Sequence, residues 1–128
     1  VYEDEQVIAF LNQFPIQEGY TIVCPKRYVE KLESDLNAAE WIHLQKIVQR
    51  VARAVSETTQ AMRMYIASLG SPERNAHLHI HVCPCPPATP FDEQQFAAMQ
   101  IKDGQFLQLD EDRMIELAFQ IRTRLNVN

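Results

Sequence analysis

The chain has 128 residues, 46% of them hydrophobic and 23% charged, which excludes a disordered segment and suits one ordinary domain. The formal net charge of −5 argues against a protein that binds nucleic acid or an anionic membrane through bulk charge, although a few local donors suffice for a small anion. No apolar run reaches the roughly 20 residues that a membrane-spanning helix needs. The odd count of 3 cysteines indicates reduced thiols and a cytoplasmic protein.

The first half of the chain is predicted to form two strands and one long helix. Residues 7–11 and 20–24 are short apolar runs bounded by Asn, Gly or Pro, so we expect neighbouring antiparallel strands. Asn37 is followed three residues later by Glu40, which is the spacing of a capping box at the start of a helix. This helix is expected to end near residues 57–59, and its apolar stripe has spacings of three and four: Trp41, Leu44, Val48, Val51 and Val55.

The second half is predicted to add three strands and two helices. Strands are expected at residues 62–68, at 76–83, where Pro84 and the following prolines end the strand, and at a sheet edge at 105–109. A short helix is expected within residues 89–99. Asp110 is expected to cap a last helix, whose apolar stripe is Met114, Leu117, Ala118, Ile121 and Leu125. Strands around one long helix favour an α+β fold over a doubly wound sheet, and we expect a single domain, residues 1–128.

Three of the 4 histidines lie within five residues of each other, at His77, His79 and His81. Side chains alternate between the two faces of a strand, so the three imidazoles would share one face while the intervening apolar residues face the core. Burying a row of polar rings costs free energy without a large apolar return. Histidine is also the side chain best suited to proton transfer and metal binding near neutral pH. The pattern therefore indicates chemistry more strongly than packing.

Three interpretations of this pattern remain open from the residues alone. The histidines are tolerated structural residues, or they form a zinc site that Cys83 and Cys85 extend in the same odd-numbered phase. The zinc site is weakened by geometry, because His77 and His81 would lie roughly 13 Å apart at Cα in a strand. In the third interpretation one imidazole attacks a phosphoryl group and its neighbours orient it or donate to phosphate oxygens. That chemistry does not require the three rings to converge on one point.

Residues 77–83, HLHIHVC, resemble the motif of the histidine triad (HIT) family, in which three histidines alternate with apolar residues. Residues 2–5, 9–12 and 19–26 are similar to the family's N-terminal half in order and spacing, so the resemblance covers roughly residues 1–84. It implies an α+β HIT-like fold: an antiparallel sheet of about five strands with one long central helix and a C-terminal helix. It also implies a homodimer that joins two such sheets.

HIT proteins are nucleotidyl hydrolases and transferases that act at the α-phosphate of phosphoramidates, dinucleoside polyphosphates or related adducts. By position, the resemblance makes His79 the nucleophile that forms a covalent nucleotidyl-histidine intermediate. It makes His81 a phosphate contact and His77 the residue that orders the rings. The transferase branch typically has Gln in place of the third histidine, so His81 indicates a hydrolase. The implied partner is a small-molecule nucleotide such as one that releases AMP, with no nucleic acid and no membrane.

The resemblance also suggests where a nucleotide binds. Asn12 stands where the family binds the ribose hydroxyls, and its amide offers both a donor and an acceptor to a diol. Ser68 and Ser71 are phosphate donors on position alone. The base pocket would involve three residues of the first predicted strand, for which packing in the core is the alternative: Val7, Phe10 and Leu11.

Three positions depart from the family pattern. Tyr20 and Tyr28 stand where the family often has histidine, and Glu73 stands where it commonly has a neutral Gln. A carboxylate beside a polyphosphate repels it, so Arg74 and Asn75 are the expected donors instead. These departures keep open a nucleotide-binding regulatory module with little or no catalysis, besides a zinc-binding protein. We expect no required cofactor, and the sequence leaves open whether Mg²⁺ accompanies the substrate.

Overall fold

A five-stranded antiparallel sheet carries one long helix on one of its faces. The computed structural model describes residues 1–127, and the strands are arranged in the order β1-β2-β3-β5-β4. The strands are β1 (Tyr2–Glu3), β2 (Val7–Leu11), β3 (Thr21–Pro25), β4 (Arg63–Ala67) and β5 (Ile80–Cys85). The α-helices are α1 (Leu32–Asp35), α2 (Ala38–Thr59) and α3 (Glu111–Val127), and two 3₁₀ helices span Phe91–Glu93 and Gln95–Met99. The fold class predicted from the sequence is confirmed.

The capping box predicted at the start of the central helix α2 is present. The Asn37 side chain accepts a hydrogen bond from the Glu40 N–H, and the Glu40 carboxylate accepts one from the Asn37 N–H, both at 3.0 Å. Arg27 donates to both oxygens of the same carboxylate at 2.8 Å, which lowers the pKa of Glu40 to about 2. The helix ends where Gln60 adopts a left-handed conformation and its N–H bonds to the Ser56 carbonyl. Glu40 thus joins the helix start to the segment after β3.

The apolar face of α2 packs on the sheet and forms the main core. Four of the five predicted stripe residues are buried, and Trp41 is partly buried beside them. The sheet residues of this cluster include Val7, Val23 and Val82. Asp110 accepts a hydrogen bond from the Arg113 N–H at 2.7 Å and so caps α3 as predicted. That helix packs against α2 through Leu117, Ile121 and Leu125, which are buried.

Three predicted elements differ from the observed ones. The strand expected at 76–83 begins only at Ile80 and runs through Pro84 to Cys85. Pro84 pairs with Met64 of β4, but pairing with β3 ends at Val82, so one edge of β5 is free at Pro84 and a proline is tolerated there. Residues 89–99 form two 3₁₀ helices instead of one helix, and 105–109 do not form a strand. The latter segment is joined to the rest by a hydrogen bond from the Leu107 N–H to the Pro15 carbonyl, at 2.7 Å.

Two further findings concern the cysteines and the helices. Cys24, Cys83 and Cys85 are free thiols and all three are buried. Among residues 1–127, every helix is too short or too polar to cross a membrane. The two elements not predicted from the sequence, β1 and α1, are only two and four residues long.

Candidate active site

The three histidines lie where the sheet meets the segment after β3. His81 is in β5, opposite Ile22 of β3 and Ala67 of β4. His77 and His79 precede the strand in an extended segment, which is held by a hydrogen bond from the Leu78 N–H to the Val29 carbonyl at 2.6 Å. The side chains of all three histidines are partly exposed, so they face a surface that a ligand can reach.

His79 has a defined tautomer. Its Nδ1 lies 2.8 Å from the backbone carbonyl oxygen of His77. Because a carbonyl only accepts, Nδ1 carries the ring hydrogen and Nε2 holds the lone pair. Within residues 1–127 no group forms a hydrogen bond with this Nε2. The neutral His79 ring therefore presents an unoccupied nitrogen lone pair, as a nucleophile must.

His77 is held at both of its ring nitrogens. Nε2 lies 2.8 Å from the carbonyl oxygen of Pro25, so Nε2 donates. Nδ1 lies 3.2 Å from the N–H of Val29, which can donate to it. The ring also stacks on Tyr28, with centroids 5.4 Å apart and an interplanar angle of 16°. His77 thus has no nitrogen left for a substrate, and its ring joins the residues before β5 to the backbone of Pro25 and Val29.

His81 contacts both its neighbour in the triad and a tyrosine of the sheet. Its ring lies edge-on to that of His79, with centroids 4.7 Å apart, and its Nδ1 lies 2.7 Å from the Tyr20 hydroxyl. Burial, and then the charge of His79, lower the pKa of His81 to about 4. Burial also raises the pKa of Tyr20 above its usual value. At pH 7 both groups are therefore neutral.

The lowered pKa of His81 predicts how stability depends on pH. Between about pH 6.5 and 4 the unfolded chain binds a proton at His81 that the folded chain does not bind. Stability is therefore expected to fall as the pH is lowered through this range. Urea unfolding at pH 7.0, 5.5 and 4.5 measures the fall, which should be smaller in the variant His81→Asn. An equal fall in both proteins would contradict the assignment.

A small cavity of about 110 Å³ opens beside His77 and His79. Its other lining residues come from the segment after β3 and the loop before β5, and include Glu30, Lys31, Ser68, Gly70 and Ser71. A Cβ on Gly70 would lie 3.2 Å from Cε1 of the His79 ring, so the loop leaves little space beside this ring for a side chain at position 70. The loop turns through paired backbone hydrogen bonds between Ser71 and Arg74 at 3.1 and 3.2 Å.

The loop residues expected to bind phosphate lie away from this cavity. Arg74, Asn75 and Glu73 are exposed and do not line it. Arg74, Asn75 and Glu73 therefore do not form the wall of the cavity beside His77 and His79. Ser68 and Ser71 are the hydroxyl-bearing residues that line it.

The predicted base-pocket residues are divided between the two sheet faces. Phe10 pairs with Ile22, which pairs with His81, so these three side chains share one face; Phe10 is 43% exposed. Val7, 2% exposed, and Leu11 lie on the opposite face and pack in the core with α2. Of the three, only Phe10 is on the face that carries the triad, and packing in the core accounts for Val7 and Leu11.

Asn12 directly follows β2 and lies beside Tyr20, which contacts His81. Its N–H donates to the Tyr20 carbonyl at 2.8 Å, and its side-chain oxygen accepts from the Phe14 N–H at 3.0 Å. The amide nitrogen of its side chain has no hydrogen-bond partner within residues 1–127. Tyr20 therefore links Asn12 to His81, through its carbonyl on one side and its hydroxyl on the other.

Several site residues were not assigned roles from the sequence. Tyr20 and Tyr28 were noted only as departures, yet one bonds to His81 and the other stacks on His77. Glu30 and Lys31 line the cavity, but charged residues after a strand give no signal of this. The fourth histidine, His43, lies outside the site, with its Nε2 2.8 Å from Oδ2 of Asp4.

The zinc interpretation finds no ligand set in the described residues. Among residues 1–127, no group of three His, Cys, Asp or Glu side chains is arranged to hold a metal ion. Cys83 and Cys85 are fully buried, and burial followed by the charge of Cys85 raises the pKa of Cys83 to about 12. Zinc binds the thiolate, so this buried thiol is a poor ligand.

Comparison with known proteins shows similarity to one protein family. The family model of the HIT domain matches residues 1–87. An uncharacterized HIT-like protein of Borreliella burgdorferi is 31% identical over 125 residues, which cover 94% of this chain and 84% of that protein. A bis(5′-adenosyl)-triphosphatase of Dictyostelium discoideum is 29% identical over 86 residues, covering 65% of this chain and 57% of that enzyme.

A solved structure agrees with the fold over nearly the whole chain. A hypothetical histidine triad nucleotide-binding protein from Sulfolobus tokodaii superposes with a TM-score of 0.77 and 22% sequence identity, covering 98% of this chain and 82% of that one. It has the same sheet and helix arrangement, so the fold extends beyond the segment that the family model matches. The sequence match and the shared fold together show that the chain belongs to the HIT family.

Proposed function

We propose that this protein hydrolyses a nucleoside phosphoramidate or a dinucleoside polyphosphate at the α-phosphate. The observation that carries the proposal is the hydrogen bond from His79 Nδ1 to the His77 carbonyl, which leaves the His79 Nε2 lone pair unoccupied beside a cavity. The similarity to a bis(5′-adenosyl)-triphosphatase supports an adenosine polyphosphate as one substrate class.

The first step forms a bond between His79 Nε2 and the α-phosphorus. The bond from phosphorus to the leaving group breaks at the same centre, and the leaving group departs with its electron pair and takes up a proton from solvent. The hydrogen remains on His79 Nδ1 and stays hydrogen-bonded to the His77 carbonyl, so the ring carries its positive charge next to a fixed acceptor. His81 donates to an oxygen of the phosphoryl group as negative charge builds up there.

The second step releases the nucleotide. A water oxygen attacks phosphorus, the bond from phosphorus to Nε2 breaks, and the ring regains its lone pair while the water loses a proton to solvent. The products are a nucleoside monophosphate and the free enzyme. Splitting one displacement into two gives each step a better nucleophile or leaving group than direct attack by water.

In this proposal, the nucleoside binds on the sheet face that carries His81. The exposed ring of Phe10 offers an apolar surface for a base, and the unpartnered amide nitrogen of Asn12 offers a donor to a ribose hydroxyl. We propose no required cofactor; Mg²⁺ would enter only with a polyphosphate. The free thiols suit a reducing compartment such as the cytoplasm.

We also propose that the protein is a homodimer. Strand β4 is at the edge of the sheet and pairs within the described chain only with β5. Its Ile66 side chain is about half exposed, as is the neighbouring Met62. A strand with one unpaired edge and exposed apolar side chains is a surface that a second copy can cover. The family resemblance likewise implies a dimer that joins two five-stranded sheets.

Intact-mass analysis tests the proposed reaction. The protein is mixed with adenosine 5′-phosphoramidate, diadenosine triphosphate and their guanosine counterparts, and the reaction is stopped in acid-free denaturant. We expect a transient mass increase of one nucleotidyl group, mapped by peptide analysis to His79. Turnover with an adduct on a different residue would contradict the mechanism. Calorimetric binding of AMP without any turnover would instead favour the nucleotide-binding module.

A further inference from the structure

Tyr20 is held rigidly beside the third histidine of the triad. Its side chain, 5% exposed, packs in a second core cluster on the sheet face opposite α2, with Ile22 and Cys83. Its hydroxyl lies 2.7 Å from His81 Nδ1, and the two ring centroids are 5.7 Å apart. The backbone of Tyr20 is fixed as well, because its carbonyl accepts the Asn12 N–H at 2.8 Å.

The direction of this hydrogen bond follows from what each atom can do. Both a phenol and a neutral imidazole can donate or accept. Within residues 1–127 the Tyr20 hydroxyl has no other hydrogen-bond partner, so if His81 donated, the phenol hydrogen would be left buried without an acceptor. A buried donor without an acceptor is strongly unfavourable. Imidazole nitrogen is also the stronger base of the two acceptors. Tyr20 therefore donates and His81 Nδ1 accepts.

We propose that Tyr20 is a positioning residue, which holds His81 in the tautomer that carries its hydrogen on Nε2 and so presents a donor to the phosphoryl oxygens. The proposal rests on the proposed function, because it assigns His81 a use only if a phosphoryl group occupies the site. The HIT family often has a histidine at this position, and histidine changes its charge near neutral pH. Tyr20 replaces it with a group that stays neutral.

The surroundings of His81 leave Tyr20 as the group that sets its tautomer. The nearest titratable groups along the chain are His79, just before β5, and Cys83 within it, and the latter is a thiol that bonds weakly to backbone carbonyls. On β4, Ala67 lies opposite His81, and Tyr65, two residues before Ala67, is on the same face. The 3₁₀ helix that covers this face contributes Met99, which is not titratable. Among these groups, only Tyr20 hydrogen-bonds to the His81 ring.

The test compares Tyr20→Phe with Tyr65→Phe, which removes a hydroxyl from the same buried cluster without touching His81. In wild-type protein and in Tyr65→Phe, ¹⁵N spectra at pH 7 should show His81 Nε2 protonated and Nδ1 unprotonated. In Tyr20→Phe the two shifts should move towards each other, because both tautomers become populated. These spectra need no substrate, so they judge the proposal even if the protein does not hydrolyse the nucleotides tested.

Kinetics give the second measurement. Tyr20→Phe is expected to lower kcat by about tenfold to hundredfold and to change KM by less than about threefold, because the lost donor matters most when charge builds up in the transition state. Tyr65→Phe should keep wild-type kcat. Melting temperatures of both variants check that they fold. Protonated Nδ1 in the wild-type spectrum, or equal kcat in the two variants, would overturn the proposal.

Discussion

Replacing His79 with alanine is expected to lower kcat for adenosine 5′-phosphoramidate and diadenosine triphosphate by at least about 10⁴-fold. The loss should be this large because the other two rings cannot take over the role of nucleophile. Both nitrogens of His77 are engaged by backbone groups, and Nδ1 of His81 is bonded to Tyr20. The affinity for AMP, measured by calorimetry, should change by less than about threefold, since the ring acts mainly on the reacting phosphorus.

His43→Ala is the matched control for this variant. It also removes an imidazole, but one on α2 that hydrogen-bonds to Asp4 and lies outside the cavity. This variant should keep more than about half of wild-type activity. In His79→Gly, added free imidazole should restore part of the turnover, because the missing ring leaves space for it. Retention of more than about 1% of wild-type kcat in His79→Ala would rule out a covalent step at this residue.

The second large effect is expected for Gly70→Ala, which alters the loop but removes none of the proposed catalytic side chains. The new Cβ would lie 2.6 Å from the Asn75 carbonyl oxygen and 3.2 Å from His79 Cε1. The first contact is with backbone, so the loop has to shift, and the second presses on the nucleophile. A displacement of about 1 Å at a reacting group costs about 10²-fold, and we expect kcat to fall by about this factor.

The neighbouring substitution Leu69→Ala separates this effect from general disturbance of the loop. Leu69 is more than half exposed and does not line the cavity, so its truncation should leave kcat within about twofold of wild type. The melting temperature of Gly70→Ala shows how much of the fold remains. Wild-type kcat in a folded Gly70→Ala protein would mean that the loop does not set the position of His79.

Local sequence patterns predicted the elements whose stability depends on nearby residues. The capping box at Asn37 and Glu40 and the alternating spacing of the α2 stripe need no knowledge of distant contacts. The strand expected at 76–83 began late because a long-range contact fixes its first half. His77 bonds to Pro25 and Val29, about fifty residues earlier, instead of to a neighbouring strand.

The candidate site shows the same limit. The alternation of histidines indicates a chemical role for residues 77–81, but it does not say which ring nitrogen is free, because this depends on the His77 carbonyl. All five residues of β2 are apolar, so their sequence does not say which face meets the core. Register with β3 decides it, and places Phe10 with the triad and Val7 with α2.

The double hydrogen bond between Arg27 and Glu40 links the triad to the first turn of the central helix. Arg27 lies between Pro25 and Val29, the two residues that hold His77. Paired charge-assisted bonds of this kind are stronger than single ones, but the ends of helices still fray before whole domains melt. On warming, loss of that turn is expected to loosen the segment that carries Arg27 and Val29, and with it the hold on His77 Nδ1, while the sheet is intact. Heat should therefore inactivate the protein at a lower temperature than it unfolds it.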